Sequence, residues 1–383
     1  MVSLSEISSW YANHFEGRLL GRYICQKEIL PILTELSNFC PVEVLGTSEE
    51  GRNIHLIKFG NGSKKILAWS QMHGNESTTT KAVFDLLKFL NQKDFFQKEI
   101  HFIKNEFSIY IIPMLNPDGA IAYTRENANK IDLNRDAKDL TQAESCLLRT
   151  VFNTIEPQIC LNLHDQRTIY SLPNNKSATL SFLAPTADDK RTITRSRKEA
   201  MLSIAKINEV LQFVIPGQVG RYDDTFNNNC VGDSFQQMGV PTILFEAGHF
   251  PLDFQREKTR EFIFYAFLAL LNVLPSTKSS FTVEDYLQIP ENEKNFRDVL
   301  LRNAILNGEK VDVAIQFQEK LRNGQIQFIP IIDEIAVKVE KMGHKEIDIK
   351  NKEILINSHE NVFVDEEISM ICYKTSKKPI YLQ

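Results

Sequence analysis

A chain of 383 residues with 43% hydrophobic and 24% charged content is long enough to bury a large core, and its size suits one large domain plus one small one. Its formal net charge of −5 gives no electrostatic reason to expect nucleic acid or an anionic membrane as partner. No uninterrupted apolar run is long enough to span a bilayer, and Met1 to Trp10 lacks a basic segment followed by an apolar core, so a cytoplasmic location is expected.

Taken in chain order, Arg18 to Phe39 carries a helical pattern, and Val42 to Leu45 and Asn53 to Phe59 read as strands. Gly60-Asn61-Gly62 reads as a hairpin turn into a further strand, Lys64 to Ser70. The chain then runs through Met72-His73-Gly74-Asn75-Glu76 into the helical spacing of Ser77 to Leu90. A His-x-x-Glu at a strand-to-helix junction lets both side chains face one ion. Alone it fits equally a surface histidine beside a glutamate at a helix N-terminus.

Further elements supply more chemistry. The apolar run Phe107 to Leu115 closes on Asn116-Pro117-Asp118-Gly119, which reads as a tight turn. A polar loop holding Arg125 follows, then Asp132-Leu133-Asn134-Arg135-Asp136. After a helix over Ala143 to Thr154, the short buried strand Ile159 to Leu163 delivers His164, with Asp165 and Gln166 directly behind it, able to orient that ligand or line a pocket. Helical spacing returns over Arg191 to Phe213, and a polar, asparagine-rich stretch from Arg221 to Asp233 reads as a long loop. The apolar run Pro241 to Phe245 ends on Glu246, and a carboxylate terminating a core strand costs stability unless it has a partner or a task there. Phe254 to Leu274 is the last helix of this pattern, and Pro275 to Ser280 is a linker by composition. Alternating strands and helices predict an α/β fold, a mixed central sheet with helices on both faces. Candidate residues at strand carboxyl ends agree with where sites lie in open α/β sheets.

These blocks, in this order, resemble the zinc carboxypeptidases typified by carboxypeptidases A and B, over Arg18 to Leu271. The resemblance implies that His73, Glu76 and His164 bind one zinc ion, the two-histidine, one-glutamate set of carboxypeptidase A. It further implies that Arg125 polarises the scissile carbonyl, that Asn134 and Arg135 hold the substrate's terminal carboxylate, and that Glu246 is the general base. Asp132 matches the aspartate that accepts a hydrogen bond from the first zinc histidine. Tyr222 falls near the place of the tyrosine that closes over substrate. Matching Asp233 and Gly239 to family positions requires a one-residue deletion and puts Gly232 where side-chain preference is set, so specificity does not carry over.

The residue types suit that chemistry. Three protein ligands leave a coordination position for water, whose pKa falls to about 7 on zinc. A carboxylate beside it can take the proton and pass it to a leaving amine. Arginine stays charged and offers several donors to an oxyanion or, as a planar fork, to a carboxylate. The expected activity is hydrolysis of the C-terminal peptide bond of a peptide. Two alternatives are a zinc amidohydrolase acting on N-acyl amino acids and a zinc-bearing binding module without activity.

Six cysteines, Cys25, Cys40, Cys146, Cys160, Cys230 and Cys372, are scattered without metal or framework spacing and read as reduced thiols. The expected division is a catalytic domain over residues 1–275 and a small β-rich domain over 281–383. In the latter a helix-like stretch from Glu291 to Leu306 precedes alternating segments at Gln325 to Pro330, Glu334 to Val339, Glu346 to Ile349 and Ile354 to Ile356. His344 and His359 there read as solvent-facing. The resemblance supplies no function for this region.

Overall fold

The computed structural model describes residues 2–382. The apolar runs become the strands β1 (Val42–Thr47), β2 (Asn53–Phe59), β3 (Lys64–Ser70), β4 (Phe107–Ile112), β5 (Ile159–Asp165), β6 (Leu180–Leu183), β7 (Val219–Arg221) and β8 (Thr242–Ala247). They form one mixed sheet in the order β1-β2-β4-β3-β5-β8-β6-β7. The four middle strands, β4, β3, β5 and β8, are mutually parallel, and antiparallel pairs flank them.

The helices are α1 (Leu4–His14), α2 (Gln26–Leu36), α3 (Thr78–Asn91), α4 (Gln97–Glu106), α5 (Pro117–Ala122), α6 (Ala143–Ile155), α7 (Arg195–Leu211), α8 (Val231–Gln237), α9 (Glu257–Leu270) and α10 (Val283–Leu287). Both faces of the sheet are covered. Ile66, Ala68, Leu161, Leu163, Ile243 and Phe245 join residues of α3, α7 and α9 in one core. The alternate residues Leu67, Trp69 and Cys160 join Leu148, Val151 and Phe152 of α6 and Val231 and Phe235 of α8 in the other. Each such aliphatic or aromatic side chain contributes about 1.5–3 kcal/mol by leaving water.

Several local expectations change. Gly60 to Gly62 is not a hairpin turn, because β2 and β3 each pair with β4 rather than with each other. The glycine matters here for close approach: a Cβ on Gly62 would lie 1.9 Å from the Glu106 carbonyl carbon, so the chain skims past the start of β4. Only Gln26–Leu36 of the stretch Arg18 to Phe39 is helical. Asn116 to Gly119 is the start of the short helix α5, with the Asn116 side chain accepting from the Gly119 N–H and Pro117 in the first turn.

The chain divides into two units, residues 1–166 with 178–292, and residues 167–177 with 293–383. This differs from a break at 275–281 in two ways. Helix α10 belongs to the first unit, where the Tyr286 hydroxyl accepts from the Ala184 N–H and Arg221 donates to the Pro290 carbonyl. The segment 167–177 belongs to the second, where Ser171 and Glu293 exchange backbone hydrogen bonds of 2.8 and 2.9 Å and Phe296 donates to the Ile169 carbonyl.

The second unit carries β9 (Phe296–Leu306), β10 (Glu309–Arg322), β11 (Gln325–Ala336), β12 (Met342–Asp348), β13 (Ile354–Ile356) and β14 (Ile371–Tyr373). The first four form a sheet ordered β11-β10-β9-β12, and the last two pair separately. β9 occupies the stretch expected to be helical. Val299 and Leu301 enter one core and Leu300 another, so the strand is buried on both faces and loses the alternation that marks a half-buried strand. His344 is not solvent-facing: it stacks on Phe296 at 4.3 Å between ring centroids and its Nε2 contacts the Thr168 carbonyl at 2.7 Å. His359 is exposed, beside Glu366.

Candidate metal centre and active site

Three chain segments bring the site together. At the end of β3, Gln71 takes a left-handed conformation at φ 49° and its buried amide donates to the carbonyls of Ile24 and Gly74, which turns the chain so that His73 faces inward. Gly74 passes the backbone of α5 so closely that a Cβ would sit 1.9 Å from the Gly119 carbonyl carbon. Glu76 then precedes α3, and the last turn of β5 places His164 on the same side of the sheet as Cys160 and Asn162.

The side chains converge. Nδ1 of His73 lies 2.8 Å from Glu76 Oε1, Nδ1 of His164 lies 2.8 Å from Glu76 Oε2, and the two Nδ1 atoms are 3.0 Å apart. Nε2 of His73 contacts Asp132 Oδ1 at 3.0 Å. A proton on that nitrogen leaves the Nδ1 lone pair facing the other ring, which is the tautomer a metal ligand needs. The backbone N–H of Asp165 donates to Glu76 Oε2 at 3.1 Å and fixes the carboxylate from behind. Asp165 is itself held by the Thr78 amide and hydroxyl at 3.1 and 2.5 Å, which ties the end of β5 to the start of α3.

The donor set fits zinc. All three ligand atoms lie within 4.8 Å of one another. A tetrahedral ion about 2.0–2.1 Å from each imidazole nitrogen sets those nitrogens about 3.3 Å apart, close to the spacing seen. The second nitrogen of His164 has no partner among the described residues.

Electrostatics follow from burial and neighbours. Burial acts to raise Glu76, but His73 and His164 outweigh it and hold the carboxyl well below its usual range. Burial likewise acts against ionised Asp132, where His73 and Arg125 prevail and keep it anionic. Burial lowers His164, whereas for His73 Glu76 and Asp132 overcome burial and raise it.

Glu246 stands beside His164 across the β5–β8 ladder, residue opposite residue, which puts their Cα atoms about 4.8 Å apart with side chains on one face. It is 8% exposed, and its Oε2 has no hydrogen-bond partner among the described residues. Burial, followed by the charges of Glu76 and Asp165, pushes its carboxyl well above the usual range. The charges of Arg125 and Arg256 act the other way without offsetting this, and a buried acid raised so far is a costly group to keep for structure alone.

The remaining candidates divide. Arg125 joins the cluster: Nε and Nη2 donate to Asp132 Oδ2 at 3.0 and 2.9 Å, and Nη1 lies 3.4 Å from Glu76 Oε1. Asn134 sits in a 3-10 turn over Leu133–Arg135, and its Oδ1 accepts from the Val231 N–H at 3.2 Å, which links it to α8. Arg135 is exposed, with Nη1 on the Asn134 carbonyl at 2.8 Å. Tyr222 follows β7, which β6 separates from β8, so its backbone lies two strands away from that of Glu246 and out of register with it. Asp165, whose N–H braces Glu76, is a contributor that the sequence left without a role.

The resemblance read in the motifs is borne out by comparison with known proteins. Residues 29–209 match the family described as zinc carboxypeptidase, a stretch that holds all three candidate metal ligands, Arg125, Asp132, Asn134 and Arg135, and stops short of Glu246. Carboxypeptidase E of Caenorhabditis elegans is 29% identical over 153 residues, covering 34% of this chain and 32% of that protein. Carboxypeptidase M of Mus musculus is 27% identical over 173 residues, with 39% of each covered. The chain thus spans about a third to two-fifths of the length of these relatives. The fold is similar to that of a metallo-carboxypeptidase from Burkholderia cenocepacia, with a TM-score of 0.54 at 17% identity over 65% of this chain and 68% of the other. A metallo-carboxypeptidase from Pseudomonas aeruginosa, solved with (2-guanidinoethylmercapto)succinic acid, gives 0.51 at 17% identity over 68% and 69%.

Proposed function

We propose that this protein is a zinc-dependent metallocarboxypeptidase that hydrolyses the C-terminal peptide bond of a peptide. The observation that carries the reading is the meeting of His73, Glu76 and His164 in one ligand set, with Glu246 paired to His164 on the adjacent strand and its Oε2 free of hydrogen bonds among the described residues. A zinc ion held by the three ligands supplies Lewis acidity and brings the pKa of a water down to about 7. Glu246 accepts the proton of the attacking water and returns it to the leaving amine, a task suited to an acid raised by burial. Asp132 holds the His73 ring in its ligand tautomer and anchors Arg125, which offers a guanidinium N–H to the developing oxyanion. Asn134 and Arg135 receive the substrate's terminal carboxylate, Arg135 through its planar fork, and Tyr222 covers the bound residue.

The test is to load purified protein with zinc and offer it a peptide pool with free and with amidated carboxyl ends, identifying products by mass spectrometry. Stepwise loss of C-terminal residues from free peptides only, abolished by chelation, is the expected result. Equal cleavage of amidated peptides, release of acyl groups from N-acyl amino acids instead, or no zinc-dependent product would overturn the reading.

A further inference from the structure

Arg256 is 2% exposed, although it lies in the polar sequence Phe254-Gln255-Arg256-Glu257. One guanidinium nitrogen donates to the Ala247 carbonyl, and Nη2 donates to the Gln166 carbonyl at 2.7 Å. Ala247 directly follows Glu246, and Gln166 is two residues beyond His164. Both carbonyls stand where the β5–β8 ladder ends, with Gln166 also donating its N–H to Ala247 at 2.9 Å. The arginine therefore fastens together the tips of two strands, one carrying a candidate metal ligand and the other the candidate base.

Its own mounting is rigid. Arg256 holds a left-handed backbone at φ 60° at the N-terminus of α9. Its N–H donates to the Asp253 carbonyl at 3.0 Å, and the Asp253 carboxylate accepts from the amides of Glu257, Lys258 and Thr259, each at 2.9 Å. Thr259 Oγ1 reaches back to the Gly248 carbonyl at 3.1 Å. A loop closed by so many bonds transmits little slack to its side chain.

We infer that Arg256 is a positioning residue that fixes the spacing between His164 and Glu246 by clamping the carbonyls behind them. The inference rests on the zinc-peptidase reading. A lysine at this position can reach one carbonyl but lacks the fork that spans both.

The experiment compares full-length Arg256→Lys and Arg256→Met with wild type by thermal melting without metal, by zinc affinity in chelator competition, and by kcat and KM on a free-carboxylate peptide. Expected are a zinc affinity and a kcat each lowered about 10-fold or more in Arg256→Met, with KM within twofold, and partial recovery in Arg256→Lys, the scale found when support of a ligand is lost. Wild-type zinc affinity and kcat per folded chain in Arg256→Met, or in both variants where Arg256→Met folds poorly, with only the melting temperature changed, would reduce Arg256 to a structural anchor and overturn the inference. Wild-type protein that binds zinc without cleaving peptides would defeat the proposed activity while the affinity comparison still decides the role of Arg256.

Discussion

At the scale of single residues, the site is built from groups whose environments push them in opposite directions. Glu76 and Asp132 are held anionic by histidines and Arg125, whereas Glu246, a buried residue, has no hydrogen-bond partner on its Oε2 among the described residues. Replacing Glu246 by glutamine keeps shape and hydrogen-bonding capacity but removes the proton acceptor. Expected is a folded, zinc-loaded Glu246→Gln protein with kcat down by at least about 10²-fold. Thermal melts, zinc content and single-turnover rates on one preparation check this, and a structural ion-pair role for Glu246 predicts instead a loss of stability with the rate per folded chain preserved. Arg135 is exposed and donates only to a neighbouring carbonyl among its described bonds, so its fork can turn to a ligand. Arg135→Ala is expected to raise KM for free-carboxylate peptides by the loss of a charge-assisted contact of about 1.5–3 kcal/mol, with kcat little changed. A mutant whose KM matches wild type would remove Arg135 from carboxylate recognition.

Helix α8 shows what one element contributes. Its first turn supplies the Val231 N–H to Asn134, and its third residue, Asp233, is buried and accepts from the Asn227 N–H at 2.9 Å. Burial pushes the Asp233 carboxyl up to about 6 from 3.8, against the pull of backbone amides and of Arg135 and Arg197. The folded state therefore holds a proton between about pH 4 and 6 that the unfolded chain has released. The stability contributed by that proton is present below about pH 4 and lost as pH rises through 6, a penalty of about 1–3 kcal/mol at neutral pH. Asp233→Asn, which can still accept from Asn227, is expected to melt higher than wild type at pH 7 and equally at pH 4. Melting curves across that range check it, and a mutant that is less stable at pH 7 would show that the charge is needed there.

On the scale of the whole molecule, the second unit is made of two chain segments rather than a tail. Residues 167–177 start directly after Gln166, two positions beyond His164, and find their backbone partners in Glu293 and Phe296. Deleting residues 293–383 leaves Ile169 and Ser171 without those bonds. In the truncated chain residues 167–177 are expected to be cut by trypsin, which Arg167 and Lys176 make sensitive, at sites protected in the full chain. An unchanged digestion map would show that residues 167–177 hold their structure without those bonds.

The sequence by itself determined the alternation of strands and helices, the ligand types at the ends of β3 and β5 and the carboxylate at the end of β8, because burial forces apolar runs and because polar residues that end them stand out. It misread β9, whose two buried faces erase the period of a half-buried strand, and Gly60 to Gly62, whose glycines serve a close crossing rather than a hairpin. It left the role of Asp165 open, passed over Arg256 and read His344 as solvent-facing, since a charged or aromatic residue in a polar stretch looks solvated until distant segments close over it. Only the tertiary structure decided that Glu246 stands opposite His164, that Asp165 braces Glu76 through its amide, and that residues 167–177 leave the first unit. Those are pairings between segments far apart in the chain, and local pattern favours neighbours in sequence without fixing which distant strand will lie beside which.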